Sequence, residues 1–569
     1  MDPTISAIYV EKIALRITQA QSTKMLLNHV SLGIGTGQFV AVVGASGCGK
    51  STLIKSLAGI QSVSSGKILL GGHPVDELKA NYPLAIGYLP QFGSFHEELT
   101  VMEILDHAVA LRLPKWVKGS KKTEWKQHII SLARLEPFIE QKYKTLSGGQ
   151  TRRVALAEEL VGDPPFLFLD ELTSGLDPYS DQEMMIWLND LAHQHQKTIL
   201  LVTHSVANLH YCDSILFMHR GHLVFHGTYA HLLETHGCDS IEAVFQLYQV
   251  GDKSMETVFE TFYDDELKTF HYPPVAQKLQ TAKTPNGFTQ FQTLFSRQML
   301  MLWRDRGQLW MQLILLFTFP GLVAVFATKG LPQVRSLSLE IETNIVKTLQ
   351  ENLFYLKESF HAASLISGLT MFQVILLMLM GANNGAREIA KERGVLNKEL
   401  RAGLSPWAYV ATKFFIVLAF SFFQAFWMSW FVKSVCGFPG SFAEQFLSLF
   451  APTLAMSVTC LGISAFAPSP ERASLLSIYL VGLQLPLSGA VLSLPEWLSW
   501  STRPFIAAYW GWSGYLKSLE SFRLYDIVKQ STHTIITELP WCLGVLGMHV
   551  ILGLILALYW IRRKEGTGM

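Results

Sequence analysis

Gly44-Ala45-Ser46-Gly47-Cys48-Gly49-Lys50-Ser51-Thr52 fits the pattern G-x-x-x-x-G-K-[ST], and its surroundings restrict the fold sharply. The apolar run Phe39-Val40-Ala41-Val42-Val43 precedes it and Leu53-Ile54-Lys55-Ser56-Leu57 follows. That is the strand–loop–helix setting in which the motif carries meaning. Gly44, Gly47 and Gly49 let successive backbone N–H groups face phosphate oxygens, with Ser46 and Thr52 in the same cradle, and the following helix adds its positive N-terminal end. Lys50 is placed for β- and γ-phosphates and the Ser51 hydroxyl for Mg²⁺. Such a loop alone leaves the use of the nucleotide open.

A second motif narrows it. Leu146-Ser147-Gly148-Gly149-Gln150 follows about a hundred residues later, and further chemistry falls around it in a fixed order. Gln91 ends the run Gly87-Tyr88-Leu89-Pro90-Gln91. Phe166-Leu167-Phe168-Leu169 reads as a buried strand delivering Asp170 and Glu171, a pair suited to holding a metal's water shell and polarising a hydrolytic water. Ser174-Gly175-Leu176-Asp177 comes next, and His204 follows the apolar strand Thr198–Val202. Each piece has a structural reading: a glycine turn, a helix cap, a satisfied histidine. Their joint order on the right local structure favours a nucleotide site.

LSGGQ is the signature of ATP-binding cassette (ABC) ATPases, and the whole set resembles that family's. The resemblance implies ATP with Mg²⁺, held by Gly44, Ser46, Gly47, Gly49, Lys50, Ser51 and Thr52, with Ser51, Gln91 and Asp170 about the metal. It implies Glu171 as general base, His204 as the γ-phosphate switch and Lys50 and Gln91 as catalytic partners. Ser147, Gly148, Gly149, Gln150 and Asp177 would close over ATP held by a second cassette, so one chain is half of a composite site. Three departures stand out. Leu172 replaces the usual proline after Asp-Glu. No aromatic occurs in Ile17-Thr18-Gln19-Ala20-Gln21, where many relatives stack adenine. Gln150, the signature's own residue, stands where the G (White-type) subfamily commonly has glutamate, which suggests a prokaryotic relative.

Composition adds a membrane. The 569 residues are 49% hydrophobic and only 16% charged, with a mean hydropathy of +0.25, too apolar for an ordinary soluble ATPase. A net charge of +1 without a basic stripe argues against nucleic acid. Six scattered cysteines show no metal spacing, and Met1-Asp2-Pro3-Thr4 lacks a signal-peptide pattern. The expected architecture is an α/β P-loop cassette (1–250), a polar linker (251–286), an amphipathic interfacial helix (287–306) and an all-α six-helix transmembrane domain (307–569). Spans are expected at about 308–327, 361–382, 408–432, 442–466, 473–494 and 541–561. Arg387, Lys391, Arg393, Lys398, Arg401 and Arg562-Arg563-Lys564 place the cassette and both termini in the cytoplasm, in the cell's inner membrane. The aromatic-rich stretch 495–540 reads as a headgroup-level cap or re-entrant helices on the outer face, and no charge is expected deep in the spans.

A cassette preceding six spans resembles the G (White-type) subfamily of ABC transporters. Leu99-Thr100-Val101-Met102-Glu103, Leu111-Arg112-Leu113-Pro114, and Glu392-Arg393 with Glu399, Gly403, Ser405, Tyr409 and Lys413 are similar to that subfamily's local runs. The segment around 393–405 is then expected to dock near Gln91. The resemblance implies an exporting half-transporter in a homodimer, in contact with membrane lipid, for a hydrophobic or lipid-like small molecule. Phe372, Gln373, Gln484 and Leu487 are the candidate cargo residues, against a reading in which the glutamines only bond neighbouring helices. The rivals are an importer and a mechanical or regulatory ABC protein that moves no cargo.

Overall fold

The computed structural model describes residues 6–19, 22–91, 93–113, 117, 119–250, 284–327, 345–491, 494–532 and 534–567. Most of the expected linker, 251–283, and the segment 328–344 lie outside these residues. The chain forms two compact units. One comprises Met1–Thr293, Gly394–Ser405 and Glu565–Met569, and the other Leu294–Arg393 and Pro406–Lys564.

The first unit is an α/β cassette. Its ten strands are β1 (Ser6–Gln19), β2 (Ser22–Gly35), β3 (Phe39–Gly44), β4 (Ser65–Leu70), β5 (His73–Pro74), β6 (Ile86–Leu89), β7 (Phe166–Asp170), β8 (Thr198–Val202), β9 (Ser214–His219) and β10 (His222–Gly227). A four-stranded sheet runs β2-β1-β4-β5 and a six-stranded sheet β10-β9-β3-β8-β7-β6. Strands β6, β7, β8, β3 and β9 are mutually parallel. β3, β7 and β8 are buried at every position. Their sequences FVAVVG, FLFLD and TILLV are therefore continuous apolar runs rather than alternating ones, as burial on both faces requires. Two helices begin with reciprocal caps. Thr100 Oγ1 accepts the Glu103 N–H and Glu103 Oε2 accepts the Thr100 N–H, starting Val101–Arg112. Ser147 and Gln150 do the same for Gly148–Leu160. Either glutamine or glutamate closes such a box, so Gln150 costs the helix nothing.

The second unit is helical. Five helices among the described residues are long and apolar enough to cross a membrane: Arg306–Phe326, Leu353–Lys391, Pro406–Cys436, Phe442–Phe466 and Leu539–Arg563. The segment expected at 473–494 forms Pro470–Leu487, an 18-residue helix that opens with Glu471 and Arg472 in its first turn and is not among the five. The helix Ile345–Gly385 runs 41 residues and starts well before the expected 361.

Polar side chains tie these helices together where hydrocarbon-like surroundings leave few partners. Gln312 Nε2 donates to Asn384 Oδ1 (3.0 Å), Asn384 Nδ2 to Gln424 Oε1 (2.8 Å), and Gln424 Nε2 to Gln312 Oε1 (3.0 Å). That is a closed ring of amides from three helices. Gly381 and Gly385 let the backbone of Phe442–Phe466 approach closely: a Cβ on Gly385 would sit 2.1 Å from the Ser457 carbonyl oxygen.

Lys413, 1% exposed, is the sixth residue of the third expected span, near its start rather than deep within it. Glu388 at 3.1 Å and Glu392 at 2.9 Å neutralise it, which makes its burial tolerable. The aromatics of 495–540 divide. Trp497 and Trp500 are exposed, but Tyr509, Trp512 and Tyr515 belong to the core. Trp512 Nε1 donates to Ser367 Oγ (3.2 Å) and Tyr509 Oη to the Ile535 carbonyl (2.7 Å). Helical spacing in Ala507–Lys517 points these rings inward, where their polar tips find partners.

The amide ring predicts a measurable cost. Gln424→Leu strands polar groups on Gln312 and Asn384 and should destabilise the protein by about 1–2 kcal/mol. Thermal denaturation of the purified protein should show a lower midpoint; an unchanged midpoint contradicts a structural role for the ring.

Candidate nucleotide site

The ends of the parallel strands bring the site together. β3 ends at Gly44, and the loop to the helix Lys50–Leu57 passes through Gly44, Gly47 and Gly49, all with positive φ (147°, 76° and 110°). A Cβ at Gly44 would lie 2.2 Å from the Met218 carbonyl oxygen and one at Gly49 2.7 Å from that of Leu26, so both must be glycine. Ser46 and Gly47 are exposed on the loop, with Thr52 half-buried in the helix. Lys50 Nζ donates to the loop's own carbonyls, Gly44 O (2.8 Å) and Ala45 O (3.0 Å), which holds the cation at the cradle. The Cys48 side chain is buried beneath the loop, and that burial pushes its thiol up.

β7 delivers the carboxylates. Asp170 is buried and accepts a hydrogen bond from Ser51 Oγ (2.9 Å), so the two expected metal-site residues already touch. Burial raises the Asp170 carboxyl above its ordinary range, while the Ser51 bond and the Lys55 and Lys50 charges oppose the rise. A cation bound there would favour the ionised form, so the donor set fits Mg²⁺. Glu171 adopts φ 56°, left-handed and sparsely populated for a residue with a side chain. Its N–H is still held by the Val202 carbonyl (2.9 Å), so the chain turns out of the sheet at this residue. Gln91 Nε2 donates to Glu171 Oε2 (2.5 Å), and His204 Nε2 lies 3.1 Å from Glu171 Oε1. Three residues named from sequence thus meet at one carboxylate.

The signature residues form a separate group. Ser147 and Gly148 are exposed; a Cβ on Gly149 would meet Leu176 at 3.6 Å, and Arg152 donates to the Ser174 carbonyl. Asp177 caps the helix Pro178–Gln194 by accepting the Ser180 N–H (3.0 Å), and that bonding lowers its carboxyl pKa. Among the described residues Ser147, Gly148, Gly149, Gln150 and Asp177 make no hydrogen bond or ion pair to Lys50, Ser51 or Glu171; the backbone link is the Ser174 N–H, which donates to the Glu171 carbonyl (3.2 Å).

Residues 27–174 match the family described as ABC transporter, and residues 289–516 the ABC-2 type transporter family. The taurine import ATP-binding protein TauB of Pseudomonas aeruginosa is 30% identical over 233 residues, which cover 40% of this chain and 82% of TauB. The chain belongs to the ABC transporter family. In this ABC transporter the cassette lies N-terminal to an ABC-2 type domain, and the chain is an integral membrane protein. The ATP-binding/permease protein Rv1747 of Mycobacterium tuberculosis is 27% identical over 527 residues, 88% of this chain and 56% of that protein, so the chain spans just over half of Rv1747. ABC transporter G family member 8 of Arabidopsis thaliana is 36% identical over 216 residues, 37% of this chain and 36% of that protein.

The transporter's cassette unit includes Gly394–Ser405, most of the helix Arg393–Arg401 and the turn after it. Lys398 Nζ pairs with Glu158 Oε2 (2.6 Å), lies 3.6 Å from the centroid of Phe95 and donates to the Ser94 carbonyl (3.3 Å). Ser94 and Phe95 follow Gln91 by only three and four residues. Arg112 bridges Glu158 (3.5 Å) and Glu159 (3.2 Å). Burial alone would lower the Arg112 pKa, but these two carboxylates hold it above its ordinary value. Gln290 fixes the turn, donating to the Gly403 carbonyl (3.1 Å) and accepting the Ser405 N–H (2.8 Å).

Sequence reasoning missed several supports. Asp181 Oδ2 accepts from Ser205 Oγ (2.7 Å) and Asn208 Nδ2 (2.8 Å), and Thr203 Oγ1 lies 2.9 Å from Thr173 Oγ1. These bonds pin the turn carrying His204 beside the one carrying Glu171. Tyr88 is buried, and that burial together with the Asp170 carboxylate pushes its phenol up; Phe168, its parallel partner in β7, stands two residues before Asp170. The cargo candidates are spread through the membrane unit. Gln373 is 0% exposed, with neither amide atom bonded. Gln484, 2% exposed, accepts the Ala508 N–H (3.1 Å), a bond between helices. Phe372 and Leu487 are half-buried against the core, Phe372 edge-on to Phe326.

The loop geometry orders its glycines. Gly44→Ala should abolish ATP binding, whereas Gly47→Ala, whose Cβ meets nothing within 4 Å, should cost only the left-handed penalty of about 1–2 kcal/mol. Titration with a fluorescent ATP analogue checks this, and equal losses for both variants would contradict it.

Proposed function

We propose that this chain is an ATP-hydrolysing half-transporter that works as a dimer of identical copies and exports a hydrophobic or amphipathic, lipid-like molecule. The observation that carries this reading is the division of the nucleotide chemistry. Lys50, Ser51, Asp170, Glu171, Gln91 and His204 form one group, while Ser147 to Gln150 and Asp177 form another that makes no hydrogen bond or ion pair to them among the described residues. A second copy placing its Ser147 group over the first copy's Lys50 group would complete the site.

The residues divide the work. Backbone N–H groups from Gly44 to Thr52, with Lys50, hold the phosphates and offset their charge. Ser51, Asp170 and Gln91 would hold Mg²⁺, which would neutralise phosphate charge when bound. Glu171 takes a proton from the attacking water at a carboxylate oxygen, oriented by Gln91 and His204. Gln91 answers to the metal site and also lies three residues before Ser94, which touches the Gly394–Ser405 segment. ATP-driven closure at Gln91 is thereby passed to a segment continuous with two membrane helices.

Cargo chemistry follows from the membrane unit. Among the described residues its buried polar groups are mostly amides and hydroxyls, and of its buried cations Arg297 and Lys413, Lys413 is paired with Glu388 and Glu392, which supports an apolar cargo over an ion. Phe372 and Leu487 are the proposed cargo contacts; the Ala508 bond makes Gln484 a helix tie instead. The Lys and Arg bias places cassette and termini in the cytoplasm, with an inner membrane around the spans.

Glu171→Gln tests the chemistry. Steady-state ATP hydrolysis by the purified protein in nanodiscs should fall about 10²-fold or more with ATP binding retained. Unchanged turnover would remove Glu171 as the base.

A further inference from the structure

Within the cassette unit, a small recess of about 30 Å³, partly open to solvent, lies between the Gly394–Ser405 segment and the sheet. Its charged lining is lopsided: Lys79, Arg112, Lys398 and Arg401 against Glu159. Most of these charges are already engaged. Arg112 holds Glu158 and Glu159, Lys398 holds Glu158, and Lys79 donates to the Gly59 carbonyl (2.5 Å). Counting buried Glu158 and Glu399 beside the lining, four cations face three carboxylates, an excess of one positive charge.

Arg401 carries that excess. Its guanidinium lies over the Tyr88 ring, 5.1 Å from the centroid, and its Nε donates to the Asn397 carbonyl (3.1 Å). Neither terminal amino group makes a hydrogen bond or ion pair among the described residues. Burial lowers its pKa and the Arg112 charge adds to the fall, while the Glu159 carboxylate, which makes no hydrogen bond or ion pair to it, opposes the fall only in part. A planar fork of free N–H donors, held flat by an aromatic ring and flanked by lysines, matches a phosphate group's bidentate geometry.

We propose that this recess is an anion site taking a phosphate group, with Arg401 as the bidentate donor and Lys79 and Lys398 as flanking cations. The same chemistry would be offered by free inorganic phosphate, the product of ATP hydrolysis, or by a lipid headgroup phosphate. Occupancy would brace the Gly394–Ser405 segment against the cassette, so the anion would tune coupling at a distance from Lys50.

The test is the thermal midpoint of full-length, nucleotide-free protein titrated with millimolar inorganic phosphate, with chloride at matched ionic strength as reference. It needs no ATP, so its failure and a failure of the transport reading remain separate. Phosphate should raise the midpoint of the wild type and of Lys50→Ala, which disables the phosphate loop, and should leave Arg401→Gln unmoved. Arg401→Lys keeps the charge without the fork and should show a reduced rise, which covers the case of an Arg401→Gln protein that fails to fold. Glycerol 3-phosphate separates the sources: a larger rise than with inorganic phosphate assigns the site to a headgroup, a smaller one to the free ion. No rise, an equal rise with chloride, or a rise that vanishes in Lys50→Ala and survives in the Arg401 variants overturns the proposal.

Discussion

Four parallel strands, β6, β7, β8 and β3, end at one edge of the cassette sheet, and the nucleotide chemistry depends on that alignment. Parallel pairing forces every strand to deliver its C-terminal residue to the same side. β3 delivers the phosphate loop, β7 Asp170 and Glu171, and the turns after β8 and β6 deliver His204 and Gln91. Such a sheet survives only if both faces are covered, which explains the continuous apolar runs. The left-handed Glu171 is the local departure that turns its carboxylate toward its partners, at about 1–3 kcal/mol of backbone strain.

The Gly394–Ser405 segment is tied to this edge by buried charge. Arg112, Glu158, Glu159 and Lys398 form a chain in which each carboxylate has at least one cation within 3.5 Å. Such networks add little net stability over apolar packing, but removing one member leaves a buried charge exposed to its own desolvation cost. What the network supplies is registry. The segment is seated beside Phe95 and Ser94, a few residues past Gln91.

The legible parts of the site were those where backbone geometry dictates residue type. The loop glycines, the Ser147–Gln150 and Thr100–Glu103 capping boxes and the carboxylates at a strand end all leave local patterns. The supports that cross the fold left none. Asp181 reaches Ser205 and Asn208 across two turns, and Gln312, Asn384 and Gln424 meet from three helices. Lys413 finds Glu388 and Glu392 some twenty residues away, a pairing that leaves no local pattern. Among the aromatics of 495–540, composition alone does not separate the exposed Trp497 and Trp500 from Tyr509, Trp512 and Tyr515, which helical phase buries.

The central claim is that Lys50 of one copy and Ser147 of another make a single site. Its most direct measurement pairs a Lys50→Ala copy with a Ser147→Arg copy, each inactive as a pure dimer because both composite sites are broken. A mixed dimer contains one site with both residues intact. Co-purified mixed dimers should recover a clear fraction of wild-type ATP hydrolysis; mixed dimers as silent as either parent, or full activity in the Ser147→Arg protein alone, would contradict the account.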